Sequence, residues 1–252
     1  MAAERRSTCD RAGGRQLHLP PPFRLVPIRE SGDAFDHASR HAAELGAGAL
    51  VFVGRFDLAE FAVVLEPEEP FRSSRRIFYA GMSALADALA AAAPPEKPIA
   101  IAWPDAIHID GGLIGGGRLG WPAGLEEGEV PPWLVFGATI RTVFAAAMEP
   151  GLHALATTLE DEGFGEFGAE ALAERFARYL MAAIDCWQQG DFGTIASSYL
   201  GRLARARGAR FEIAANGDLT VAQAGSRSER RALGPALAQP SWRDPASGEP
   251  RL

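Results

Sequence analysis

The side chains able to do chemistry fall in a few short stretches. Trp103-Pro104-Asp105 closes one apolar run, and Gly115-Gly116-Gly117-Arg118 lies inside another. Arg141 ends a third, and Arg55-Phe56-Asp57 joins two more. Three successive glycines carry no β-carbon, so backbone can approach a ligand closely and adjacent N–H groups can nest an anion; a plain hairpin arm is the competing reading. Arg118 and Arg141 could each clamp a carboxylate or phosphate bidentately. For each the alternative is a surface ion pair, for which the 32 Asp+Glu residues supply partners. Asp105 could hold a cation or cap the turn behind it, and both readings stand. Lys97 is the only lysine among 25 Lys+Arg residues, so chemistry that needs a buried lysine has one candidate, and it sits among prolines. His108 on an apolar run reads as structural. No Ser-His-Asp, Cys-His or metal-ligand spacing occurs, and Cys9 and Cys186 cannot build a disulfide framework.

The elements that must position these residues follow from periodicity and punctuation. Residues 1–18 lack a period and read as a loose tail. Phe23–Ile28 predicts an edge strand that tolerates Pro27, and Asp33 caps a helix ended by Gly46. Residues 49–53, 61–65, 99–103 and 133–140 are apolar strand runs. An Ala-rich helix is expected over 75–93, stopped by Pro94-Pro95. Residues 106–119 predict a hairpin turned at Asp110-Gly111-Gly112, Ala169 to Trp187 an amphipathic helix, and Ile195 to Ala206 a short one. A last hairpin turns at Asn216-Gly217, in the type I′ geometry that Asn-Gly favours. From Ala224 on the chain is polar and Pro-rich. The fold class is α+β, a mostly antiparallel mixed sheet packed with helices plus a small β-rich C-terminal domain. The expected divisions are a tail at 1–18, a main domain at 19–188, and at 189–252 a small domain with a hairpin and a polar tail.

The order of motifs carries a resemblance. Ile101-Ala102-Trp103-Pro104-Asp105-Ala106-Ile107-His108-Ile109, then Leu113-Ile114-Gly115-Gly116-Gly117, resembles the Lys-Trp-Pro-Asn-Asp strand and Lys-apolar-small-Gly turn of the biotin- and lipoate-protein ligases. Val135 to Arg141 is similar to that superfamily's Gly-apolar-Gly-apolar-Asn strand, and Thr157 to Gly163 to its Thr-Ser-Leu-x-Glu-x-Gly segment. The resemblance covers roughly residues 20–225. It implies the ligase fold, whose small C-terminal lobe packs near the active cleft. It also implies activation of a carboxylic acid such as biotin or lipoate with ATP and Mg, and transfer to a carrier-protein lysine. Asp105 and Arg118 would then be catalytic, and Trp103, Pro104, Gly115, Gly116, Gly117, Arg141 and Arg55 would line the substrate cleft.

The chain departs from that pattern where the chemistry is done. The turn lysine falls at Leu113, the lysine before Trp-Pro at Ala102, the two acidic-or-amide positions at Asp105 and Ala106, and the strand asparagine at Arg141. The Gly-Arg-rich loop is reduced to Gly54 to Glu60, with one arginine. Two readings remain: a ligase using arginines, Arg118 foremost, and a non-catalytic binder of the cofactor, its adenylate or the carrier domain. Composition narrows the partners. A hydrophobic share of 47% with 23% charged residues excludes a disordered chain, and a net charge of -7 gives no pull toward nucleic acid or anionic membrane. Without an apolar run of membrane-spanning length or a secretory signal, a cytoplasmic location is expected.

Overall fold

The computed structural model describes residues 17–145, 155–204, 208–223, 225 and 227–252. Its centre is a seven-stranded sheet in the order β1-β2-β3-β7-β6-β5-β4. The strands are β1 (Arg24–Ile28), β2 (Ala49–Val53), β3 (Leu58–Leu65), β4 (Ile99–Ala102), β5 (Ala106–Ile109), β6 (Gly112–Gly120) and β7 (Leu134–Arg141). Only β1 and β2 run parallel, across the helix α1 (Ala34–Leu45); every other pair is antiparallel. The expected α+β class is therefore the observed one.

β2, β3 and β7 are apolar on both faces because both faces are covered. On one face lie α3 (Ile77–Ala90) and α4 (Ala169–Gln188), against Leu50, Phe52, Phe61, Val63, Phe136 and Ile140. On the other lies α1, whose Ala34, Ala38 and Ala42 pack on Val51, Val53, Ala62, Val64 and Val135. Small alanines on α1 let it approach the sheet closely. Asp33 accepts from the Asp36 N–H at 2.9 Å and so caps α1, as its position before the periodic run predicts.

Several expected boundaries move. The helix expected from Arg75 to Ala93 is the shorter α3, Ile77–Ala90, and a separate one-turn helix, α2 (Phe71–Ser74), precedes it. Arg75 and Arg76 sit at the junction, both largely buried, and pair with Glu127 and Glu69. The helix expected at 195–206 is α5 (Phe192–Arg202), because Asp191 accepts from Thr194 N–H and caps it earlier; residues 205–207 lie outside the described residues, as do 1–16. A second sheet holds β8 (Ala209–Ile213), β9 (Leu219–Gln223) and β10 (Glu229–Arg231). Its hairpin turns at Asn216-Gly217, but not as type I′. Of the two only Gly217 has positive φ, 87°, and its N–H closes a turn on Ala214 at 2.8 Å. A five-residue loop with glycine in the left-handed region replaces the two-residue turn.

Residues 227–252, expected to belong to a polar tail, are structured. β10 and α6 (Leu233–Leu237) lead into residues 241–251, which fold back on the main sheet and bury Trp242 to 1% exposure.

Candidate ligand cleft

The cleft lies on the α1 face of the sheet, beyond the end of the helix. Alternation along β6 shows which residues look into it. A β-carbon on Gly117 would meet Met82 and Phe136 of the core, whereas one on Gly116 would lie 2.4 Å from the Trp242 ring. Gly116 and Arg118 therefore share the cleft face. The β5–β6 ladder is irregular next to the triple glycine: the register slips between Ile107 and His108, opposite Ile114, with Gly115 at φ 148°. There Gly115 lies against the Thr139 carbonyl, too close for any β-carbon.

Arg118 is 8% exposed, and its Nη2 donates to both oxygens of Asp33 at 3.0 and 3.1 Å. Its guanidinium lies 4.2 Å from the centre of the Phe35 ring. Burial pulls Arg118 below its ordinary pKa, opposed by Asp33. Burial raises the Asp33 carboxyl, but Arg118 and the Asp36 N–H together outweigh it and hold Asp33 below the usual range. Beside them Glu60, 6% exposed, accepts from the Ala34 N–H at 2.8 Å, and burial raises its carboxyl. Arg55 chelates Asp57 at 2.9 and 2.6 Å and reaches Glu249 at 2.8 Å; the Asp57 hydrogen bond is the main reason its pKa rises.

Arg141 differs from these cations. It is 5% exposed and lies inside the end of β7. Its partners are carbonyls: Thr157 at 3.4 Å, Pro250 at 2.5 Å and Arg251 at 3.2 Å. Burial lowers its pKa, with Glu249 the one charge opposing that. It borders a cavity of about 530 Å³ shared with Asp57, Phe144, Glu249 and Pro250.

Asp105 is 1% exposed and accepts from the Ser241 N–H at 2.9 Å and the Ser241 hydroxyl at 2.5 Å. Burial pushes its carboxyl up to about 6 despite those bonds. Trp103 and Pro104, expected to line the cleft, brace the helix layer instead. Trp103 Nε1 donates to Tyr79, which donates to Gly217, and the Pro104 carbonyl accepts from Tyr199 at 2.8 Å. The small lobe thus meets the α3 side of the molecule at Tyr79. Lys97 pairs with none of these groups and is held by Asp110 at 3.1 Å and Glu162 at 2.8 Å. Leu113, where the resemblance puts a lysine, joins the 155–157 segment through backbone bonds.

Gly116, Arg118, Arg141, Arg55 and Asp105 thus come together, and Trp103 and Pro104 turn away. Four further groups belong to the cleft and were not singled out for it: Asp33, Glu60, Ser241 and Trp242. Glu60 carries a signal, an acidic residue inside an apolar strand, whereas Asp33 reads in the sequence only as an ordinary helix cap. Ser241 and Trp242 carry none beyond one large aromatic in a polar stretch. Among the described residues no group of three or more His, Cys, Asp or Glu could hold a metal ion, and no helix is long and apolar enough to cross a membrane.

A model of the biotin/lipoate A/B protein ligase family matches residues 19–201. No curated protein sequence matches the chain. Among solved structures, a biotin protein ligase-like protein of unknown function from Silicibacter sp. TM1040 superposes with a TM-score of 0.75 at 25% identity, over 89% of this chain and 100% of that one. The biotin protein ligase of Aquifex aeolicus superposes at 0.65 with 13% identity, over 84% and 96%. That of Leishmania major, in complex with biotinyl-5-AMP, superposes at 0.52 with 16% identity, over 84% and 99%. These last two likenesses are of fold.

Proposed function

The chain belongs to the biotin/lipoate A/B protein ligase family, and from that premise we propose that it binds a small carboxylic acid of the biotin or lipoate kind in this cleft without activating it. One observation carries the reading: Arg141 is a buried cation whose hydrogen-bond acceptors are all neutral carbonyls. A guanidinium in that state is a site for one negative charge, which would replace carbonyls by a charge-assisted pair.

The same charge count argues against a triphosphate with its Mg. Arg118 and Arg55 are each engaged by carboxylates, and Glu60 and Asp105 add acidic groups to the same walls. Stabilising negative charge on phosphoryl oxygens needs cations aimed at them, and these are already neutralised. ATP does not fit the residues present. The second reading, adenylation with Arg118 in the lysine's place, is favoured by one observation: Arg118 shares the Gly116 face of the cleft. A carrier domain as partner and a cytoplasmic location belong to the proposal as well.

Calorimetry with biotin, lipoate and octanoate, run beside a pyrophosphate-release assay with ATP, separates the readings. Binding without pyrophosphate is the expected result. Pyrophosphate release dependent on one of the acids establishes the ligase reading instead, and absence of binding to all three ends the carboxylate reading.

A further inference from the structure

Residues 241–251 make a small unit of their own. Asp244 N–H donates to the Glu249 carbonyl and Arg251 N–H to the Trp242 carbonyl, both at 2.8 Å, and Arg243 pairs with Pro250 in an antiparallel bridge. The Asp244 carboxylate caps the turn by accepting from Ala246 and Ser247 N–H at 2.7 and 3.0 Å. The turn is thus held by its own bonds. It hangs from α6, which is pinned separately by buried Leu233 and Leu237 and by Leu233 N–H on Asp218 at 2.9 Å. Between them Ala238 and Gln239 are exposed, and Pro240 is half-buried.

The unit docks through the cleft's own recognition groups. Ser241 satisfies Asp105. The Trp242 indole lies over Gly116 and donates to the Gly117 carbonyl at 3.1 Å. Arg243 reaches Asp33 at 3.4 Å and Glu249 reaches Arg55 at 2.8 Å, while the Pro250 and Arg251 carbonyls occupy Arg141. A flat ring with an N–H donor, a donor pair on a carboxylate and acceptors on a buried guanidinium are what a small ligand of this cleft would supply.

We propose that residues 241–251 are an internal occupant of the cleft, a strap that must leave before any ligand can reach Arg141 or the Gly116–Gly117 floor. Ligand affinity is then set by competition with Trp242 of the same chain. The inference rests on the cleft assignment, not on which acid the cleft takes. Release needs only a swing about 238–240, because α6 and the small sheet have their own contacts.

The test uses the full chain carrying Thr139→Cys. Thr139 pairs with Gly116 and is 4% exposed, so a thiol there sits on the covered floor. Its rate of reaction with a small disulfide reagent is compared with that of two further variants on the same background. One is Trp242→Ala. The other is Ser241→Ala with Glu249→Ala, which keeps the indole and cuts two latches. The Thr139-containing parent, labelled alongside, gives the background from Cys9 and Cys186. Circular dichroism checks that each variant is folded. Both variants should react at least tenfold faster, and biotin or lipoate, whichever the parent binds, should bind them at least tenfold tighter. Equal thiol rates in folded variants overturn the strap, as does unchanged affinity for an acid that the parent binds. Faster thiol reaction with no acid bound by any variant keeps the strap and removes the carboxylate reading.

Discussion

Asp105→Asn offers a direct check on the electrostatics of the cleft. The carboxyl is 1% exposed, and its pKa of about 6 stands some two units above the ordinary 3.8. Each unit is worth about 1.4 kcal/mol, so keeping Asp105 ionised in the folded protein costs on the order of 3 kcal/mol at neutral pH. The folded chain binds this proton more tightly than the unfolded one. Stability from this group is therefore fully present below pH 3.8 and is lost as pH rises to about 6. An asparagine keeps an acceptor for the Ser241 N–H, can donate to the Ser241 hydroxyl oxygen, and carries no charge. At pH 8 the variant should be more stable than the parent by about 2–3 kcal/mol, and at pH 4 the difference should nearly vanish. Denaturant midpoints at the two pH values measure both. A variant that is less stable at both, by the same amount, would falsify the argument; the Ser241 bonds would then outweigh the burial of charge.

The remaining expectations concern the neighbouring residues. Arg118→Met leaves Asp33 without its main cation and should cost about 2 kcal/mol in a thermal melt, less than a fully buried pair because the Asp33 side chain is 28% exposed. Since the Asp33 pKa is held down, that contribution is present above about 3.8 and fades as pH falls below it, so parent and variant should converge on acidification. Arg141→Gln should weaken binding of the preferred acid by about 1.5–3 kcal/mol, tenfold or more by calorimetry, and an unchanged affinity would remove Arg141 as the anion anchor. Gly116→Ala puts a β-carbon 2.0 Å from the Asp105 carbonyl oxygen and 2.4 Å from the indole. It should destabilise by about 1–3 kcal/mol and speed hydrogen exchange at Arg251 N–H; no change in either would mean that Trp242 is not seated there.

Much of the fold was legible because the sheet core is written as apolar runs, and the resemblance supplied their order. Face assignment was half legible. Alternation puts Gly116 and Arg118 on one side of β6, but only the packing of Met82 and Phe136 on Gly117 tells which side is core. Trp103 illustrates the other half: a residue at a strand end can turn to either layer, and Tyr79 decided it through a long-range bond. Trp242 was illegible for a different reason. Periodic patterns report elements that bury a stripe, whereas residues 241–251 bury only Trp242 and Pro250 on an already formed surface. The surrounding polarity that marks the stretch as a tail is spent on cleft groups: Ser241 on Asp105, Arg243 on Asp33, Glu249 on Arg55. The strap balances the charges of this cleft, and of Arg55, Arg118 and Arg141 only Arg141 is left with carbonyls where an anion could bind.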